Sequence, residues 1–350
     1  MMKMTSKIDP HRCLRLLMGA LLCAALWSLP AREASAAPSC RASMTALSFD
    51  DVDLVAGGTF TASATLTYTC ENDESNERYA RLCFNIGDGS ASQASGGGHW
   101  DPRILRDGSA NEMNVQFYQG ATPAIWGSAT QPIADAYDRT LTLPQRVGRF
   151  TPSVTTGTFT LRGVISTGQA GLPPGLYQSS FTGNHTAFRY GIASSSGAVP
   201  GNCASVGTDG GTFGFTASAN VVKSCQVSAD PLDFGTVDGI ASSTNIDATT
   251  TIRVICSKPT AYNVLLIPSN NNTGGSSAMK GQATGNTDTV PYRLYSNAAR
   301  SAPWGSLAAN DVSGTGTGLT QSLTVYGRVP GLPNVQPDNY KDTVTVNVTY

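Results

Sequence analysis

Histidine, cysteine and closely spaced carboxylates are the side chains best able to ligate a metal, attack a substrate or shuttle a proton. Beyond residue 36 this chain has two histidines, His99 and His185, and six cysteines: Cys40, Cys70, Cys83, Cys203, Cys225 and Cys256. Asp50, Asp51 and Asp53 form a tight carboxylate cluster. Asp233 and Asp238 recur at the matching turn of an internal repeat, described below, which favours a structural role for that cluster. No serine-nucleophile elbow, phosphate-binding loop or HExxH zinc motif occurs. The chemistry on offer is oxidative pairing of thiols. The chain reads as no enzyme, with no cofactor and no metal.

Thiol pairing requires an oxidising compartment, and residues 1–36 supply the route. Lys3, Lys7, Arg12 and Arg15 precede an apolar run from Leu16 to Leu29, and Ala34-Ser35-Ala36 offers a small-residue cleavage site. The run is about 14 residues long, where a spanning helix needs about 20. This is the layout of a secretory signal peptide. It carries five cations and two anions, so the remainder is mildly acidic, which argues against a nucleic-acid partner.

Self-comparison shows how the thiols pair. Cys40 is followed by Leu47-Ser48-Phe49 and, 30 residues on, by an alternating run ending at Cys70; Cys225 is followed by Leu232-Asp233-Phe234 and, 31 residues on, by a run ending at Cys256. Val115-Gln116-Phe117-Tyr118 leads to Trp126-Gly127 as Tyr292-Arg293-Leu294-Tyr295 leads to Trp304-Gly305. Gly/Pro-rich turns then lead to Tyr177 and to Tyr340. Two copies of one domain follow, with bridges Cys40–Cys70 and Cys225–Cys256. Cys83 and Cys203 lack counterparts and are left to pair with each other. Charged residues make up only 13% of the chain, and alternation is clearest in Thr343–Tyr350, so the class is all-β sandwich.

The second copy resembles the spore coat protein U domain, the pilin module of archaic chaperone–usher fimbriae. Cys225-Gln226-Val227-Ser228, Leu232-Asp233-Phe234-Gly235, the run from Val290 to Ser296, Trp304-Gly305, the run from Leu323 to Val329 and the ending Tyr340–Tyr350 carry the resemblance. It covers 225–350 well and 40–190 loosely. It implies two tandem immunoglobulin-like, pilin-type sandwiches, tied by disulfides, the C-terminal one incomplete without a donor strand. The partners implied are a periplasmic chaperone, an outer-membrane usher and the next pilin subunit, at the cell surface in a fimbrium.

The expected organisation is a signal peptide over 1–36, an N-terminal adhesive domain over 37–212, a linker and internal donor strand over 213–224 and a pilin domain over 225–350. Within the linker Phe213, Phe215, Ala217, Ala219 and Val221 share one face of an extended strand. They are expected to complete the first domain from within. Only Ala37-Pro38-Ser39 separate the expected cleavage site from Cys40, at most about 10 Å of chain. An arm that short cannot fill a groove, so the chain is expected at the fibre tip, attaching to an abiotic or host surface and building biofilm. The adhesive candidates are His99 and Trp100 in a flexible glycine-rich loop, then Ile125 with Trp126, and Leu172, although Trp304 and Leu332-Pro333 at the matching places of the second copy favour a core or turn role for the latter two sites. Two alternatives are a coat or matrix protein outside any fibre, and a lectin-like tip binding glycan through Trp100, Tyr118 or Trp126.

Overall fold

The structure is a computed structural model that describes residues 36–129, 135–149, 151–238 and 241–350. The expected signal peptide, Ala36 apart, lies outside the described residues.

Runs that alternate β-branched or small polar residues with apolar ones form strands, each with one wet and one dry face. Twelve build the N-terminal half: β1 (Ser39–Met44), β2 (Leu47–Val52), β3 (Phe60–Asn72), β4 (Arg78–Ile86), β5 (Arg103–Arg106), β6 (Glu112–Gln119), β7 (Tyr137–Leu143), β8 (Ser153–Ile165), β9 (Gly175–Phe181), β10 (Thr186–Ala193), β11 (Thr208–Asp209) and β12 (Phe215–Val221). They form an eight-stranded sheet in the order β1-β3-β8-β6-β5-β9-β12-β2 and a four-stranded sheet in the order β11-β10-β4-β7. In β3, Ala64, Leu66, Tyr68 and Cys70 point into the core while Thr65 and Thr67 face water. One apolar cluster, from Cys40 to Val221, fills the space between the sheets; this half is called unit one. Among the described residues one short α-helix, α1 (Gly89–Ala94), interrupts the strands, and nothing in the residue pattern announces it.

Nine strands build unit two: β13 (Cys225–Ala229), β14 (Ile246–Cys256), β15 (Ala261–Pro268), β16 (Ser276–Gly281), β17 (Thr289–Tyr295), β18 (Val312–Thr315), β19 (Gln321–Val329), β20 (Tyr340–Lys341) and β21 (Val344–Thr349). Their sheets run β13-β14-β19-β17-β16-β20 and β18-β15-β21, around a separate core that includes Val254, Leu294 and Trp304. The molecule is thus a pair of tandem β-sandwiches.

Three disulfides tie the sandwiches. Cys40 and Cys70 face each other across β1 and β3, with Cα atoms 4.0 Å apart. Cys225 and Cys256 do the same across β13 and β14 at 4.1 Å. Cys83 on β4 is joined to Cys203, in the segment leading to β12, at 5.6 Å.

Candidate functional site

The two units match at their landmarks. Trp126 Nε1 donates to the Phe84 carbonyl at 2.8 Å, and Trp304 Nε1 to that of Val264 at 2.9 Å. The backbone N–H groups of the same tryptophans bond to Phe117 and Leu294, both at 2.9 Å. The Tyr177 hydroxyl donates to the Pro173 carbonyl at 2.9 Å, and the Tyr340 hydroxyl to that of Gln336 at 2.7 Å. Gln178 pairs with Arg106 where Lys341 pairs with Lys280. A Cβ at Gly163 would lie 2.7 Å from Leu47, and one at Gly327 would lie 2.6 Å from Leu232. Each glycine therefore admits the leucine packed above it.

With these anchors the large sheets align strand for strand, β1-β3-β8-β6-β5-β9 upon β13-β14-β19-β17-β16-β20. Unit one then has two more strands, β12 and β2. Among the described residues unit two has neither: residues 232–237 follow the path of β2 but form no strand, and β20 is two residues long where β9 has seven. Between them lies an open groove of about 940 Å³, walled by Leu232, Phe234, Met279, Val335, Tyr340 and Val344 among others. Leu47 and Val52 of unit one are wholly buried, whereas Val237 is 45% exposed. A bare strand edge beside core side chains is a surface that folded proteins rarely leave uncovered.

Unit one shows what fills such a position. β12 runs antiparallel to β9 over seven residue pairs, from Phe215↔Phe181 to Val221↔Gly175, and parallel to β2. Phe213, Phe215, Ala217, Ala219 and Val221 all point into the core, and Thr216 and Asn220 face out. The Phe215 ring stacks on that of Phe181 with centroids 4.9 Å apart. The aspartate cluster serves this arrangement. Asp51 accepts a hydrogen bond from Asn220 Nδ2 at 2.7 Å. Asp53 caps the turn at Val55 and Ala56 and accepts from Ser224 Oγ, also at 2.7 Å, where the chain leaves β12 for unit two.

The adhesive candidates separate. Trp126 has no exposed surface; its ring is part of the core and cannot reach a partner, which corrects its place among them. Ile125 is half-buried and bridges to Tyr118, and Leu172 packs against the core edge. His99 and Trp100 remain half-exposed. Their loop is tied to its surroundings by hydrogen bonds. Gly98 N–H donates to Asp88 at 3.2 Å and His99 N–H to Ser92 at 3.0 Å, while Gln116 Nε2 donates to the Trp100 carbonyl at 3.1 Å. Behind the loop Asp88 Oδ1 lies 3.1 Å from His185 Nδ1, with both residues buried.

Arg103, fully buried, completes this support. It donates to the carbonyls of Gly87, Ile86 and Trp126 and to Gln116 Oε1 at 2.7–3.1 Å. Burial lowers its pKa to about 10, opposed by the charges of Asp88 and Asp101. Sequence reasoning missed this residue, since an arginine carries no local mark of burial. Among the described residues no group of three or more His, Cys, Asp or Glu is placed to hold a metal ion.

Residues 211–347 match the family model of the Spore Coat Protein U domain. That stretch covers less than half of the chain. It is also 29% identical over 151 residues to Protein U of Myxococcus xanthus, an alignment covering 40% of this chain and 84% of that protein. Among solved structures the chain is similar to the CsuC–CsuE chaperone–tip adhesion subunit pre-assembly complex of Acinetobacter baumannii, with 14% identity, TM-score 0.47, and 89% of this chain and 100% of that one covered. The CupB6 tip adhesin of Pseudomonas aeruginosa gives 10% identity and a TM-score of 0.33, covering 89% and 95%. The Spore Coat Protein U domain as matched begins at 211, so its first strand is β12, which in this chain lies in unit one.

Proposed function

We propose that this protein is a fimbrial subunit of the chaperone–usher type that ends its fibre and attaches it to a surface, promoting biofilm formation. The vacant strand position in unit two is the observation that carries this reading. Unit one has the same position filled by β12 of its own chain. The segment that opens the stretch matched to the Spore Coat Protein U domain, β12, is therefore engaged internally and is not free for a neighbour, while unit two still needs a strand. One groove closed from within and one left open suits the last subunit of a fibre.

In the proposed sequence of events the chain is exported to the periplasm, where a chaperone covers the groove and prevents edge-to-edge aggregation. At the outer-membrane usher the arm of the next subunit replaces the chaperone by strand addition. Unit one then faces outward, and the pinned loop with His99 and Trp100 is the leading contact for an abiotic or host surface. A coat or matrix role is the second reading, favoured by the match of residues 211–347 to the Spore Coat Protein U domain model.

The test places charge in the groove and, separately, removes the exposed ring. Met279→Glu and Val335→Asp line the opening in unit two. They are expected to remove the protein from purified fibres while unit one keeps its fold. Trp100→Ala is expected to leave fibre incorporation intact and lower attachment. A protein found on the cell surface in undiminished amount without fibres would favour the coat reading.

A further inference from the structure

A second hollow opens on the outer face of unit one, and the groove of unit two has no part in it. β5 and β9 meet at a single residue pair, Arg106↔Gln178. Beyond that pair α1 lies against β9 instead: Ala91 N–H donates to Ser179 Oγ at 3.1 Å, and Ser180 N–H donates to Ser90 Oγ at 2.8 Å. The parting strands leave a cavity of about 500 Å³, a size common among small-molecule sites. Unit two keeps the strand contact, as Lys280↔Lys341, but among the described residues it has no α-helix to part the strands.

The lining is polar and rich in donors. Arg106, Gln178, Thr216, Ser90 and Ser180 bring a guanidinium, an amide and three hydroxyl groups to one hollow. Only 20% of the Arg106 side chain is exposed, yet its Nε is buried without a hydrogen-bond partner. Glu112 Oε1 lies 3.9 Å from Nε, too far for a hydrogen bond, and accepts from Ser95 Oγ instead. The Asp107 carboxylate, also in the lining, serves its own turn. It accepts from the N–H groups of Ser109 and Asn111 and from Asn111 Nδ2 at 2.8–2.9 Å. A largely desolvated cation lacking a hydrogen-bonded acceptor is costly, and a planar carboxylate is the acceptor that fits a guanidinium fork. The hydroxyl and amide groups around it both donate and accept, which suits the hydroxyls of a sugar ring.

We infer that this hollow binds an acidic saccharide, whose carboxylate pairs with Arg106 while its ring hydroxyls bond to Gln178, Thr216 and Ser90. Neither His99 nor Trp100 lines it, so the site is separate from the contact loop proposed above.

Calorimetric titration of the full-length protein with trigalacturonate tests this, with the neutral galactose trisaccharide and inorganic phosphate as comparison arms at constant ionic strength. Trigalacturonate is expected to bind at least about tenfold more tightly than either. Arg106→Gln is expected to weaken that binding about tenfold, and Thr216→Val about threefold. Equal affinity for the neutral sugar would overturn the role of Arg106, and equal affinity for phosphate would overturn the saccharide assignment. No binding of trigalacturonate, or undiminished binding by folded Arg106→Gln, would overturn the site. Thr216 is exposed on the strand face, so Thr216→Val keeps the test decisive if Arg106→Gln fails to fold: unchanged affinity in it would likewise overturn the site.

Discussion

At Asp342 a carboxylate enters the wall of an apolar groove, a costly position unless its lone pairs are satisfied. Burial pushes its pKa up, but hydrogen bonds from Ser269, Tyr292, Ser277 and the Thr343 N–H outweigh burial and hold it below the ordinary value of 3.8. Burial, aided by the same carboxylate, raises the Tyr292 phenol well above its usual range. Because the folded-state pKa of Asp342 is depressed, its contribution to stability is present above the unfolded value. It is lost as pH falls through the folded one. Asp342→Asn is therefore expected to flatten the acid limb of unit two's stability below about pH 4. Acid titration followed by Trp304 fluorescence checks this; an unchanged acid limb would assign the pH dependence to other carboxylates.

β12 is the element on which unit one depends. Its inward face buries four side chains, Phe215, Ala217, Ala219 and Val221, and Phe213 just before it is buried in the same core. A charge there has no partner, so Phe215→Asp or Val221→Asp is expected to cost unit one about 3–5 kcal/mol, combining lost packing with an unpaired buried ion. Urea unfolding resolved by unit measures it, and a loss below about 1 kcal/mol would mean that β12 is dispensable. The alternation of this segment is plain in the sequence, which is why it was legible as a strand. The helix α1 was not, since Gly89-Ser90-Ala91-Ser92 has the composition of a loop and is held as a helix by contacts with β5 and β9. The Trp100 loop follows the same logic, because its anchors Asp88, Ser92 and Gln116 are distant or unremarkable in sequence.

For the molecule as a whole, the two sandwiches share a plan but not a state of completion. Val222 N–H bonds to the Val52 carbonyl at 3.1 Å, and Ser224 and Ser257 exchange hydrogen bonds at 2.9 and 3.1 Å, so the chain passes from one unit to the other through a hydrogen-bonded junction. Unit two, with an open groove, is expected to exchange amide hydrogens fastest at 232–237 and along β20, and to unfold before unit one on heating. Mass-spectrometric exchange checks this, and equal protection in β9 and β20 would contradict the vacancy. The spacing of Cys, Trp and Tyr landmarks was enough by itself to determine a duplicated all-β sandwich and two of its disulfides, Cys40–Cys70 and Cys225–Cys256. Strand alternation and cross-strand bridges leave local, repeating marks along the chain. The same landmarks placed Phe213, Phe215, Ala217, Ala219 and Val221 on one strand face, but a period of two fits any vacant groove. Only the tertiary structure decided that β12 lies between β9 and β2, that Trp126 is core, that Arg103 is buried, and that the matching place in unit two is empty. Each of these depends on partners far apart in sequence, and alternation along one strand carries no information about which strand lies beside it.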